Sequence, residues 1–244
     1  VLRTFLVQIR RLHLIGQEAD SSIKVPIGAG APRSHRQPSL WEEAMLTLVH
    51  SPLSRSFRML WLLEEIGADY DIRYVSIRRR DGSGGVDANN PHPHGQVPAL
   101  LHDGALVTES VAIAQYLTDL HPRSEMGRPP GDPQRADYLS WLAYYAGVIE
   151  PMQIAHMMGT TAAHADAARL HGDMCKRVIG TLSEHPYLLG DRVSSVDIIV
   201  SSSLMWLRHL MPDSDVLDQY IAHMAQRPAL QRAQAKDAPE GKSP

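Results

Sequence analysis

The sequence predicts an α/β amino-terminal region of βαβ-ββα order followed by an all-α carboxy-terminal region. Three observations predict it. Three short apolar runs, Met45–Val49, Val97–Leu101 and Ala105–Val107, and one alternating run, Tyr70–Ile77, have strand length and lie in the first half of the chain. A Pro/Gly-rich stretch, Pro122–Pro133, separates them from the rest. Beyond it no strand pattern recurs, and apolar residues fall at helical spacing.

Each element has a local reason. Met45–Val49 is short and apolar, as a buried strand is. Ser51-Pro52-Leu53-Ser54 is a turn that can open a helix, and Phe57, Leu60, Trp61 and Leu63 carry that helix to Gly67. Tyr70–Ile77 reads as a second strand and Arg78–Asn90 as a polar, Gly-rich loop. Val97–Leu101 and Ala105–Val107 flank His102-Asp103-Gly104, a hairpin turn. Glu109–Leu120 is a helix. Asp132-Pro133 opens a long helix towards Met158, which Pro151 should kink or shift. Further helices are expected over Ala162–Leu182, after the Ser194-Ser195-Val196-Asp197 capping motif, and over Val216–Ala225. The expected organisation is a first region over 45–122, a linker over 123–133, a helical region over 134–232 and a polar, frayed tail over 233–244.

Residues 1–44 differ from the rest, mixing a basic apolar stretch with a loose Gly/Pro/Ser segment. Met45 directly precedes the first strand. Trp41-Glu42-Glu43-Ala44, written with GAG codons, spells a purine-rich ribosome-binding sequence upstream of it. Met45 is therefore expected to be the natural start in a bacterium, and residues 1–44 a disordered or non-native leader.

Composition excludes several function classes. Of 244 residues, 43% are apolar and 21% charged, enough to bury a core. A net charge of −3 argues against general nucleic-acid binding. A single cysteine, Cys175, excludes a CxxC pair and a multi-Cys zinc site. The thirteen histidines, His156, His164 and His171 among them, show no HExxH or comparable spacing, so no metal is expected. No apolar run reaches membrane-span length, and with one cysteine and no convincing export signal a cytoplasmic location is expected.

Three ordered features then coincide: Ser54-Arg55-Ser56-Phe57-Arg58 after the first strand, His92-Pro93-His94-Gly95-Gln96-Val97-Pro98, and Thr108-Glu109-Ser110 opening a helix. With Tyr187-Leu188-Leu189-Gly190-Asp191 ahead of the capping motif, this set closely resembles the cytosolic glutathione transferases, of the serine type. The resemblance runs from Met45 to about Arg232. It implies a thioredoxin-like first domain, a helical second domain and a homodimer. It also implies a glutathione co-substrate joined to a small hydrophobic electrophile, as in detoxification. A non-catalytic glutathione-binding or regulatory module, or a glutathione-dependent isomerase, lyase or peroxidase, are the alternatives.

The chemistry of each position is consistent with that resemblance. A thiol has a pKa of about 8.5. A hydroxyl donor and a helix amino terminus both favour its thiolate. Ser54 is the expected donor, with Ser51 and Ser56 as register alternatives; a plain cap is the other reading. No cysteine lies in that loop, which disfavours the cysteine-type members. X-Pro bonds are usually trans; the resemblance implies cis for Val97-Pro98, which would turn the Val97 backbone towards a peptide ligand. Glu109 and Ser110 fit either a helix cap or the ammonium and carboxylate of a γ-glutamyl group, and the resemblance implies the latter. Gln96 stands where many relatives have lysine, so Arg78, Arg79, Arg80, His92 and His94 are candidates for the glycyl end. Candidate electrophile walls are Leu53, Tyr138, Trp141, Tyr144, Tyr145 and Met152, several of which also fit a helical core.

Overall fold

A computed structural model describes residues 45–239. The expectations for residues 1–44 lie outside the described residues. Strand β1 (Leu46–His50) is followed by helix α1 (Phe57–Ile66), β2 (Tyr70–Tyr74), the hairpin β3 (Ala99–His102) and β4 (Ala105–Thr108), and α2 (Ser110–Leu120). The sheet order is β2-β1-β3-β4, with β1 parallel to β2 and antiparallel to β3, and β3 antiparallel to β4. This is a thioredoxin-like sheet region of βαβ-ββα order, as the sequence predicts.

Burial explains the strand patterns. β1 lies between two neighbours and is nearly all buried, so it reads as one apolar run. β2 is an edge strand, and Tyr70, Ile72 and Tyr74 alternate with exposed Asp71 and Arg73. It ends at Tyr74, shorter than expected. β3 starts at Ala99, two residues later than expected, because Pro98 has no N–H for the ladder. Asp103 and Gly104 both have positive φ, 48° and 82°, the conformation of a two-residue hairpin turn.

The carboxy-terminal region is helical: α3 (Arg135–Tyr144), α4 (Glu150–Met157), α5 (Thr160–Ala163), α6 (Ala165–Glu184), α7 (Ser195–Leu207), α8 (Asp215–Ala225) and α9 (Pro228–Ala235). The single helix expected from Asp132 to Met158 is interrupted by a π turn over Tyr145–Ile149. Pro151 lies directly after the π turn, where the widened backbone accommodates a residue without an N–H. The widened turn sets Tyr145, Ala146 and Glu150 facing the sheet region. The helix expected from Ala162 is divided at His164, which is extended (φ −134°, ψ 118°).

Helix α1 is buried along almost its whole length, because the sheet covers one side and α2, α7 and α9 the other. Ser194 and Asp197 form the expected capping box of α7. The Pro/Gly-rich stretch is pinned by Arg128, nearly fully buried, which donates to the carbonyls of Glu125, Gly127 and Arg192 and to Gln134. The structure extends the folded region past Arg232. Ala233 is fully buried, α9 runs to Ala235, and Asp237 is also buried. Arg232 and Lys236 bind Glu64, and Arg227 binds Glu65, tying the last helix back onto α1.

Candidate active site

A cavity of about 310 Å³ opens between the sheet region and the π turn. Its lining includes Ser54, Arg55, Arg78, His92, Gln96, Val97, Pro98, Glu109, Ser110, Tyr145 and Glu150. Six residues anticipated from local motifs (Ser54, Gln96, Val97, Pro98, Glu109 and Ser110) therefore meet on one wall.

Ser54 lies in the turn between β1 and α1. Its Oγ donates to the Ser51 carbonyl at 2.7 Å, lies 2.8 Å from the Ser56 Oγ and accepts from the Ser56 N–H at 3.3 Å. Ser51 and Ser56 are buried and do not line the cavity; of the three serines, Ser54 reaches it. The start of α1 at Phe57 places the positive end of that helix close by.

Two arginines and a carboxylate flank Ser54. Arg55 Nε donates to Glu150 Oε1 at 2.6 Å. Buried Arg58 donates to the Tyr145 hydroxyl at 2.6 Å and lies 3.7 Å from the same Glu150 oxygen. Burial pushes the Glu150 carboxyl up, but the Arg58 and Arg55 guanidiniums outweigh it and hold it below its ordinary value. Burial pushes the Tyr145 hydroxyl up, so it stays protonated near neutrality.

Further along the sheet-region wall the Val97-Pro98 bond is cis. Glu109 caps α2 at φ 70°, ψ 124°, a conformation that a non-glycine residue adopts only when its surroundings impose it. Ser110 is the first helical residue, so the free N–H groups of α2 face the cavity. His92 Nδ1 accepts the His94 N–H at 3.1 Å, which leaves the proton on Nε2 and makes His92 a donor. Burial lowers the pKa of His92 against the opposing pull of Glu109. Of the arginine run, Arg78 lines the cavity. Arg79 instead holds the Ser51–Leu53 loop through the Pro52 and Leu53 carbonyls, and Arg80 reaches Met157.

The candidate electrophile walls divide. Tyr145 lines the cavity. Tyr138 does not: it is fully buried, and its hydroxyl lies 2.9 Å from both Thr118 and Ser195, between α2, α3 and α7. Trp141 is a core residue against Tyr144, with the Arg177 guanidinium over both rings. Met152 packs partly buried against the core, and Leu53 is 60% exposed outside the lining. Glu150 escaped sequence reading because its partner Arg55 is 95 residues away.

A second, more apolar cavity of about 680 Å³ lies between α4, α6 and the turn after α7, beside the stacked rings of His156 and His171. Burial raises the Cys175 thiol there, so it stays protonated. Among the described residues, no group of three or more His, Cys, Asp or Glu side chains could hold a metal ion. No helix among them is long and apolar enough to cross a membrane.

Comparison with known proteins matches this fold. Residues 44–119 match the glutathione S-transferase N-terminal domain. Over 217 residues the chain is 29% identical to the probable glutathione S-transferase GSTU6 of Oryza sativa subsp. japonica, covering 83% of this chain and 89% of that protein. It is 27% identical over 194 residues to glutathione S-transferase GstA of Escherichia coli O157:H7, covering 77% and 96%. The structure of a sphingomonad glutathione S-transferase complexed with glutathione superposes with a TM-score of 0.66 at 27% identity, covering 78% and 98%. Residues 44–119 belong to the glutathione S-transferase N-terminal domain family. The family match spans the Ser54 loop, the cis-proline and the Glu109-Ser110 helix start, the three parts that form one wall of the cavity.

Proposed function

We propose that this protein is a glutathione S-transferase that binds glutathione in the 310 Å³ cavity, stabilises its thiolate through Ser54 and conjugates it to a small hydrophobic electrophile. The convergence of Ser54, Val97-Pro98 and Glu109-Ser110 on that cavity carries the reading. Each end of glutathione has a matching partner. The γ-glutamyl carboxylate meets Ser110 and the N–H groups of α2, and its ammonium meets Glu109. The cysteinyl backbone pairs with Val97. The glycyl carboxylate meets Gln96, His92 Nε2–H and Arg78, which supply donors in place of a lysine. The sulfur then lies at Ser54.

Ser54 acts as a donor, not a nucleophile. Holding the thiolate two pKa units below its free value takes about 2.7 kcal/mol. One charge-assisted hydrogen bond plus a helix amino terminus supplies an amount of that order. The thiolate attacks the electrophilic carbon, forming the sulfur–carbon bond while the leaving group or π electron pair departs with the negative charge. Tyr145, whose hydroxyl accepts from Arg58 and keeps a proton of its own, lines the helical side of the cavity and is the side chain that would meet that charge. The enzyme works as a cytoplasmic homodimer.

Calorimetric titration with glutathione and turnover with an activated aryl halide test this reading. Saturable binding and measurable conjugation are expected, with glutathione affinity reduced by Glu109→Gln. Binding without turnover of any electrophile would make the chain a binding module. Turnover confined to isomerisation, elimination or peroxide reduction would replace conjugation with one of those reactions. No binding would overturn the reading.

A further inference from the structure

Behind Ser54 lies a buried polar chain with no part in the glutathione contacts. His50, the last residue of β1, is fully buried. Its Nδ1 is 2.8 Å from the Ser56 Oγ, and that oxygen is 2.8 Å from the Ser54 Oγ in the cavity wall. On the other side, His50 Nε2 lies 3.0 Å from the main-chain carbonyl of Asp237 and 3.2 Å from its carboxylate Oδ1. Asp237 follows α9 and reaches back across the fold; its Oδ2 accepts the Leu53 N–H at 3.3 Å. Its Oδ1 is buried without a hydrogen-bond partner. A buried carboxylate oxygen of this kind is costly unless a charge comes to meet it.

The donors and acceptors set a direction. In neutral His50, Nε2–H donates to the Asp237 carbonyl, so Nδ1 is an acceptor and the Ser56 O–H points to it. Ser56 then has no proton for Ser54. Ser54 must donate, to Ser56 Oγ or to the Ser51 carbonyl. The chain Ser54 O–H to Ser56 O–H to His50 Nδ1 therefore runs from the cavity inwards, with an acceptor at its buried end.

We propose that His50 receives the proton of the bound glutathione thiol through Ser54 and Ser56; this rests on the assignment of Ser54 as the thiol partner. The sulfur–hydrogen bond breaks and its proton passes to Ser54 Oγ. The Ser54 proton passes to Ser56 Oγ, and the Ser56 proton to His50 Nδ1. No redox change occurs, and three protons each move by one bond. The chain is then reversed. Nδ1–H donates to Ser56, Ser56 donates to Ser54, and Ser54 donates to the thiolate. A resting donor chain becomes one aimed at sulfur, and each bond strengthens the next. The imidazolium lies 3.2 Å from Asp237 Oδ1, the oxygen that lacks a partner in the neutral state. Once sulfur bonds to carbon its charge is gone, and the proton leaves to solvent as product departs.

The surroundings suit a base and not a nucleophile triad. Ser56 is fully buried, so no substrate carbonyl reaches it. The charged and titratable groups around His50 come from three elements. Tyr74 of β2 sets its ring edge 5.7 Å from the imidazole, with its hydroxyl on the Lys236 carbonyl. Asp237 comes from the segment after α9. Arg79 approaches the other face of the loop through the Ser51 Oγ at 3.3 Å.

Proton counting tests the relay. Glutathione is added to the protein in weak buffer near neutral pH, and the ultraviolet thiolate band and the protons released are read together. The relay predicts well under one proton released per thiolate formed. Ser56→Ala and His50→Gln should each restore one proton per thiolate and raise the bound-thiol pKa by about one unit, which near pH 7 cuts the thiolate fraction about threefold. In the unaltered protein, the nitrogen resonances of His50 should show the Nε2–H tautomer before glutathione and imidazolium after; this needs no variant that might misfold. Ser54→Ala separates the two ideas. One proton per thiolate in the wild type, or His50 neutral throughout, with ionisation still abolished by Ser54→Ala, would overturn the relay and leave the role of Ser54 intact. An unchanged thiolate in Ser54→Ala would overturn both.

Discussion

Asp197→Ala should destabilise the whole fold through one buried carboxylate outside the cavity lining. Asp197 is fully buried. Its oxygens accept the Leu188 N–H at 2.9 Å, the Ser194 N–H at 2.9 Å, the Ser194 O–H at 3.1 Å and the Tyr220 O–H at 3.0 Å. Alanine leaves the two backbone N–H groups buried without acceptors, since Leu188 and Ser194 are themselves buried. Each orphaned donor costs about 1–3 kcal/mol. The Ser194 hydroxyl can turn to its other cap partner, and the Tyr220 hydroxyl has the Asp197 carbonyl at 3.4 Å, so those losses are smaller. The expected cost is about 3–5 kcal/mol, a large part of the 5–15 kcal/mol typical of a folded domain. Asp197→Asn keeps one acceptor oxygen but turns an NH₂ towards donors, and should cost about half as much. Urea unfolding, with the denaturant slope unchanged between variants, measures both. A loss below about 1 kcal/mol for Asp197→Ala would refute the reasoning, because it would mean that water or a shifted backbone satisfies those N–H groups.

Three further outcomes are expected. Gly127→Ala should cost about 1–3 kcal/mol in the same assay, since its Cβ would lie 2.5 Å from Cβ and 2.8 Å from Oγ1 of buried Thr118. Ser110→Ala should raise the glutathione KM about tenfold with kcat nearly unchanged, because the lost hydrogen bond serves ground and transition states alike; this is read from initial rates. Glu64 is pushed up by burial, but hydrogen bonds from Lys236, Tyr70 and Arg232 pull its pKa below the ordinary 4.5. Its contribution to stability is therefore present above pH 4.5 and lost as pH falls through its lower folded value. Glu64→Gln should flatten the acid limb of a thermal-melt series in that window and leave its neutral-pH shape unchanged.

The parts of the fold that were legible in the sequence were set by neighbours along the chain. The Asp103-Gly104 turn has a backbone requirement that two residues express, and the Ser194–Asp197 cap closes within one helical turn. The Ser54, Val97-Pro98 and Glu109-Ser110 motifs are local in the same sense. The rest depends on distant contacts. The residues after Arg232 are polar and read as a frayed tail; of these, 233–239 are held because Asp237 meets His50 187 residues away and Lys236 meets Glu64 172 residues away. Tyr138 and Tyr145 are seven residues apart, so a regular helix would put them on nearly the same face. Both are buried: Tyr138 meets Thr118 and Ser195, and Tyr145, where the π turn begins, meets Arg58 at the cavity. Apolar spacing over 135–157 does not reveal that extra residue per turn. Glu150, placed by the same turn, becomes a site residue only once Arg55 and Arg58 are seen beside it.

The pKa of the glutathione thiol bound to the wild type and to Ser54→Ala tests the central claim most directly. The ultraviolet thiolate band, followed against pH at saturating glutathione, reports it. The account predicts a wild-type value about two units below the free thiol near 8.5, and a return most of the way to that value in Ser54→Ala. An unshifted thiol in the wild type, or a shift that Ser54→Ala leaves in place, would contradict it.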